Sequence, residues 1–180
     1  SEWNGDINWK NVKAAGIDFA IIRMAYRGYG SSGVLVEDAS YKENITEAQA
    51  AGIPVGVYIF SQATNTKEAQ DEANYILNRI KNYNIDLPVV LDFEYASDAD
   101  GLTGRLYEAN LTAKEATDVC MAFCKTVSAA GYTPMVYANA DMLKNNLNAQ
   151  TISSSYPVWL AHYTNRTDYT GDYDFWQYTS

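Results

Sequence analysis

The 180-residue sequence holds a single histidine and two cysteines, and its 13 lysines and arginines are outnumbered by 22 aspartates and glutamates. The resulting formal net charge of −9 leaves little to neutralise phosphates and release their counterions, so nucleic acid is excluded as a partner. With His162 alone there is no histidine cluster for a metal, and Asp98-Ala99-Asp100-Gly101 carries its glycine too early for an EF-hand calcium loop. No G-x-S-x-G elbow is present, and a serine nucleophile would have only that one histidine as a base. Neither G-x-G-x-x-G nor G-x-x-x-x-G-K-[ST] follows the first apolar run, so no nucleotide cofactor is expected, and none of any other kind.

No apolar run approaches the roughly 20 residues that span a bilayer, and Ser1 does not open a charged-then-apolar leader. The expectation is a soluble chain from which any export signal has already been removed. Cys120 and Cys124 lie on one helical stripe with Ala116, Val119, Phe123 and Val127, so they read as packing residues and leave the redox compartment open.

What is abundant is apolar and aromatic. At 47% apolar the chain can bury one substantial core but not two, giving a single domain over residues 1–180. The 15 tyrosines, 4 tryptophans and 5 phenylalanines gather near predicted strand ends, where ring faces and tyrosine hydroxyls can wall a sugar cleft.

Three segments share one signature: Lys13-Ala-Ala-Gly16-Ile17, Gln49-Ala-Ala-Gly52-Ile53 and Ser128-Ala-Ala-Gly131-Tyr132 each close a helical pattern and open an apolar run. The interval from Gly52 to Gly131 is about twice that from Gly16 to Gly52, so one period is one β/α unit, with residues 82–87 making the intervening join. Near-continuous apolar runs, as in parallel strands covered on both faces, predict strands over 18–25, 54–60, 88–94 and 133–138, with two more over 156–163 and 173–178. Helices are predicted over 9–15, 41–51, 66–83 and 113–130, the third and fourth opened by Asn65 with Glu68 and by Thr112 with Glu115. Alternation of this kind gives an α/β fold, either a closed barrel or an open doubly wound sheet. Six strands in 180 residues fall short of the eight strands and about 250 residues of a full barrel. The expectation is therefore a compact irregular (β/α) barrel, TIM-like, or one with strands missing at its ends.

In parallel β/α architectures reactive groups gather where strands end. The apolar run Val89-Val90-Leu91 ends there in Asp92-Phe93-Glu94, and strand alternation points both carboxylates to one side with Cα atoms about 6.5 Å apart. Two acids that close disfavour joint ionisation, which keeps a proton available for the acid step of glycoside hydrolysis, and Glu94, nearer the strand end, is the expected donor. The bland alternative is that both acids pair with Arg23 or cap loops. His162 is opposite in parity to Trp159 and Tyr163 and is read as structural. Asn44, Asn110 and Asn165 each open an N-x-T triplet, too common a pattern here to carry weight.

These blocks together resemble the family 25 glycoside hydrolases, the N-acetylmuramidase lysozymes. The similarity is carried by Ser1-Glu-Trp-Asn-Gly-Asp-Ile-Asn-Trp9, Gly16-Ile-Asp-Phe-Ala-Ile-Ile-Arg23, Pro54-Val-Gly-Val-Tyr-Ile-Phe60, Leu91-Asp-Phe-Glu94, Pro157-Val-Trp-Leu-Ala161 and Phe175-Trp-Gln-Tyr178, in order through almost the whole chain. The resemblance implies cleavage of the β-1,4 bond from N-acetylmuramic acid to N-acetylglucosamine in bacterial peptidoglycan, by a retaining route assisted by the substrate's acetamido group. It places the catalytic acid on Glu94 and the second carboxylate on Asp92. The cleft is expected to include Tyr58, Phe60, Tyr137, Trp159, Tyr163 and Gln177. Action outside the cell or in the cell wall follows, as a secreted enzyme or a phage lysin working as a monomer.

The similarity departs from the family at both ends: a strand ending in Asp-Val is expected before Ser1 and a closing strand with a further aspartate beyond the Trp-Gln-Tyr block. A chitinase-like barrel would need acids at Val90 and upstream and fits less well. A catalytically silent glycan-binding protein on the same barrel is the alternative from another class.

Overall fold

A computed structural model describes residues 1–180. Its centre is a seven-stranded sheet in the order β2-β1-β3-β4-β7-β8-β9. The predicted strands appear as β1 (Ala20–Arg27), β3 (Val55–Phe60), β4 (Val89–Asp92), β7 (Pro134–Asn139), β8 (Val158–Ala161) and β9 (Phe175–Gln177). All six run parallel, and the short β2 (Leu35–Glu37) adds an antiparallel edge against the end of β1. The predicted helices appear as α1 (Trp9–Ala14), α2 (Tyr41–Ala50), α3 (Thr66–Ile80) and α5 (Ala113–Ala129). Asn65 Oδ1 accepts the Glu68 N–H at 3.0 Å to open α3, and Thr112 and Glu115 cap α5 reciprocally. Not anticipated were a hairpin of β5 (Ala96–Asp98) and β6 (Gly101–Thr103), the one-turn α4 (Arg105–Glu108), a π-helical turn at Met142–Asn146 and α6 (Ala149–Ser153).

Alternation along the strands divides the interior into two unequal cores. Val89, Leu91 and Phe93 of the β4 region, with Val57, Ile59, Val136, Ala138, Val158 and Leu160, face the helices and join the main core with Ala73, Ile76, Phe123, Cys124 and Val127. Val90, Met135, Tyr137 and Ala161 face the other way and form a small cluster with Ile21, Tyr58, Trp159 and Phe175 on the concave side. At the floor of this concave side Gly56 is required, because a Cβ there would stand 2.6 Å from Ile21 Cδ1 and 2.7 Å from the Pro88 carbonyl.

The expected barrel is open. β2 and β9 do not pair with each other, and β2 covers only the last three residues of β1, so the first half of β1 is itself an edge facing β9. Side chains meet where backbones do not: the Phe19 ring, just before β1, lies 5.6 Å from that of Phe175 on β9. Closure would need continuous strand pairing around the circumference, and the sheet curls far enough for aromatic contact but not for that.

Both cysteines are free and fully buried on α5, as the apolar stripe implies. Asn44 is buried too, its Oδ1 accepting the Trp9 indole N–H at 3.1 Å, so its triplet is not an exposed acceptor.

Candidate active site

β4 sits in the middle of the sheet between β3 and β7, and the same alternation that sends Leu91 and Phe93 into the main core turns Asp92 and Glu94 to the concave face. The backbone stays in register past the end of β4, with Ser61 N donating to the Asp92 carbonyl and Phe93 N to the Tyr137 carbonyl, both at 2.9 Å.

Asp92 is 8% exposed, and its Oδ1 is buried with no hydrogen-bond partner. Burial pushes its carboxyl well above the ordinary range, the negative charge of Glu94 adds to this, and Arg23 only partly opposes them. Glu94 is half-buried and is raised by burial as well. Arg23 is engaged elsewhere, its Nε on Asp38 Oδ2 at 2.7 Å and its Nη2 on Glu2 Oε1 at 3.1 Å, so the bland alternative of an Arg23 ion pair with these acids is not what the structure holds. The Tyr58 and Tyr137 hydroxyls are also raised, chiefly by burial, and stay protonated as donors.

Two cavities meet at Glu94. One, of about 280 Å³, is lined by Tyr58, Asp92, Glu94, Tyr137, Trp159 and Gln177 with Ile21 and Val90. The other, of about 370 Å³, lies against the β5–β6 hairpin and is lined by Tyr29, Phe60, Tyr95, Ser97, Asp98 and Thr103 with Glu94 and Ala96. Six of the eight residues predicted for the site thus share one cavity, and Phe60 lies in its neighbour. Tyr163 lines neither: it is 57% exposed and reaches the site only through a 3.4 Å contact between its hydroxyl and that of Tyr137. A larger hollow of about 590 Å³ lies between residues 5–10 and α2 and includes none of the predicted residues.

The profile of the Glycosyl hydrolases family 25 matches residues 1–180. The chain belongs to this family.

Relatives agree with the assignment to family 25. The lysozyme of Streptococcus phage Cp-7 is 27% identical over 181 residues, covering 87% of this chain and 48% of its own. Lysozyme M1 of Streptomyces globisporus is 35% identical over 98 residues, covering 53% of this chain and 31% of its own. Among solved structures, the modular autolysin LytC of Streptococcus pneumoniae superposes with a TM-score of 0.82 at 29% identity, over 100% of this chain and 41% of that one. A second LytC structure, in complex with a synthetic peptidoglycan ligand, gives a TM-score of 0.80 at 28% identity over the same shares. The chain spans about half or less of the length of each of these relatives.

Sequence reasoning missed the polar frame behind this family 25 site. Gln62, fully buried, donates its side-chain amide to the Glu94 carbonyl at 3.1 Å and to the Ser61 carbonyl at 2.9 Å, while its Oε1 accepts the Leu106 N–H at 3.3 Å. Arg105 holds Glu68 through two bonds of 2.8 Å and also donates to the Gln62 carbonyl at 3.1 Å. Deeper still, Glu72 accepts from Arg27 Nε and from Ser61 Oγ, each at 2.7 Å. The available signal was weak: Ser61-Gln62 follows directly on a strand that otherwise reads as apolar.

His162 takes the structural place expected of it. Its Nδ1 lies 2.8 Å from Thr167 Oγ1, and its carbonyl accepts the Trp176 indole N–H at 3.0 Å.

Proposed function

We propose that residues 1–180 form the catalytic domain of a peptidoglycan-cleaving lysozyme that hydrolyses the β-1,4 bond between N-acetylmuramic acid and N-acetylglucosamine. The observation that carries this is the pair Asp92 and Glu94 on the concave face, unpaired with any cation and beside a ring-lined cavity of sugar size. The relatives named lysozyme, and LytC with its peptidoglycan ligand, support the substrate.

The two carboxyls titrate as a unit. Burial favours a retained proton on Asp92 when no ligand is present. A substrate acetamido N–H directed at the unpartnered Asp92 Oδ1 favours its ionised form and leaves the proton on Glu94. Glu94 then donates that proton to the bridging oxygen as the C–O bond breaks, and the acetamido carbonyl oxygen closes on the anomeric carbon while Asp92 holds the N–H. The Glu94 carboxylate next takes a proton from water, whose oxygen opens the ring and restores the configuration. The sum is addition of one water, with retention.

Tyr58, Tyr137, Trp159 and Gln177 serve as the walls of the sugar site, Phe60 borders it and Tyr163 acts at its rim. Such an enzyme works as a monomer outside the cell or in the cell wall, secreted or released as a phage lysin. The net charge of −9 supports a partner other than nucleic acid, and no helix is long and apolar enough to cross a membrane.

The test is release of reducing ends from purified peptidoglycan by the protein and by Glu94→Gln, with the terminal sugar identified. N-acetylmuramic acid ends that fall by about 10²-fold or more in the variant support the assignment; N-acetylglucosamine ends, or no release, overturn it.

A further inference from the structure

We infer that Ser61 is a positioning residue for Asp92 and Glu94, and that it holds them in place only while the buried carboxyl of Glu72 behind it is ionised. This rests on the lysozyme reading above and adds a regulatory feature to the same site: cleavage is coupled to a proton that never meets the substrate.

Ser61 is fully buried and follows directly on β3. Its N–H donates to the Asp92 carbonyl at 2.9 Å. Its own carbonyl accepts the Gln62 side-chain amide at 2.9 Å, and the same amide reaches the Glu94 carbonyl at 3.1 Å. Ser61 thus meets the main chain of Asp92 directly and that of Glu94 through Gln62. What fixes Ser61 in turn is its hydroxyl, which donates to Glu72 Oε2 at 2.7 Å and accepts the Ala63 N–H at 3.2 Å.

This arrangement fits an ionised Glu72. Its Oε1 accepts from Arg27 Nε at 2.7 Å and its Oε2 accepts the Ser61 hydroxyl, so each of these hydrogens has an acceptor. A proton added to Glu72 upsets the count. Arg27 offers only donors, so the new hydrogen must turn to Ser61 Oγ, where the Ala63 N–H already points, and the Ser61 hydrogen loses its acceptor. Glu72 and Ser61 are both 0% exposed, so bulk water does not replace the lost bond and the Ser61–Gln62 turn relaxes instead.

The groups packed around Glu72 leave it as the one that changes charge near neutrality. Arg27 on β1 faces it directly and stays charged. On α3, Glu68 stands one turn before it; burial pushes Glu68 up, but Arg105 and the Thr64 N–H hold it at about 2, so it stays ionised. On α5, burial pushes the Cys120 thiol up and keeps it neutral. Glu72 itself is pushed up to about 7 by burial against the pull of Ser61 and Arg27. Activity therefore gains as pH rises through neutrality, while ionising the same buried carboxyl lowers stability.

The experiment measures kcat on peptidoglycan for the wild type and for Ser61→Ala from pH 5 to pH 8. Titration of Asp92 and Glu94 themselves is common to both proteins and cancels in the ratio. The ratio of wild type to variant is expected to be about tenfold at pH 8 and to close to about twofold or less at pH 5. A packing role alone would give the same ratio at every pH. A second measurement needs no variant: the Ala63 amide proton of the wild type, followed by nuclear magnetic resonance, should shift with a midpoint of about 7.

A ratio that does not change with pH, or an Ala63 amide that does not move between pH 5 and pH 8, overturns the inference, while wild-type cleavage leaves the lysozyme reading standing. Absence of cleavage by the wild type at every pH overturns that reading itself.

Discussion

Gln62 donates its side-chain amide to the main-chain carbonyl of Glu94, 32 positions along the chain, at 3.1 Å. It touches the carboxyl group of neither Asp92 nor Glu94, yet it connects the end of β3, the backbone of Glu94 and the first turn of α4. Gln62→Leu keeps the approximate volume and removes every one of these bonds. Three buried polar groups lose their partner, at about 1–3 kcal/mol each if none relaxes, so the melting temperature should drop. If the amide positions Glu94, kcat on peptidoglycan should also fall by about 10- to 100-fold with KM little changed. A melting shift with unchanged kcat would reduce Gln62 to a packing role.

Acidity should separate stability from activity. Asp92 and Glu94 are both raised by burial, and such a carboxyl brings no penalty below its unfolded pKa and a growing one as pH climbs toward its folded pKa. Glu72, pushed up to about 7 by burial against the pull of Ser61 and Arg27, acts in the same direction between its ordinary 4.5 and 7. Glu68 acts oppositely: burial pushes it up, but Arg105 and the Thr64 N–H hold it at about 2, so its contribution is lost as pH falls from 4.5. Thermal stability should therefore peak near about pH 5. Asp92→Asn removes one penalty from the alkaline side and should melt roughly 2–10 °C higher than the wild type at pH 8, with the gap closing at pH 4. The same variant should lose most of its activity. Melting curves across pH for the two proteins decide it.

Arg27 and Glu72 form a buried pair, 6% and 0% exposed, directly behind the end of β3. Arg27→Met leaves Glu72 in an apolar setting with Ser61 as its remaining partner and should cost about 3–5 kcal/mol in chemical denaturation. Pairing that variant with Glu72→Leu should recover a large part of the loss. A double variant as unstable as the single would show that the cost lies in packing.

At Gly104 the backbone takes φ of +88°, and a Cβ would stand 2.9 Å from Gln62 Oε1, 3.0 Å from Tyr29 Cβ and 3.2 Å from Ala96 Cβ. Gly104→Ala should push the hairpin away from both Tyr29 and Gln62, costing about 1–3 kcal/mol in chemical denaturation. An unchanged denaturation midpoint would mean that the hairpin shifts to accept the methyl group without strain.

Local pattern carried much of the fold. The three Ala-Ala-Gly joins marked helix ends, apolar runs marked six of the seven sheet strands, and strand parity alone aimed Asp92 and Glu94 at one face. What could not be read lacks a local period. β2, β5 and β6 are three residues each, too short to show alternation, and the hairpin strands are largely exposed. Gln62 and Arg105 are polar residues whose partners lie 32 to 44 positions away, a distance over which spacing says nothing. Tyr163 lies two residues beyond the end of β8, where strand parity no longer fixes a side chain's direction, so its exposed ring, with a hydroxyl 3.4 Å from that of Tyr137, could not be read from pattern.

The alternation along residues 89–94 also has a genetic reading. Substitutions there can act by degrees, but a change of length cannot. Deleting one residue ahead of Asp92 would exchange the two sets of side chains, driving both acids among the isoleucines and phenylalanines under the helices and turning leucine and phenylalanine toward the concave cavity. Lineages can therefore drift through this segment by point mutation, while insertions and deletions should be confined to the loops on either side of it.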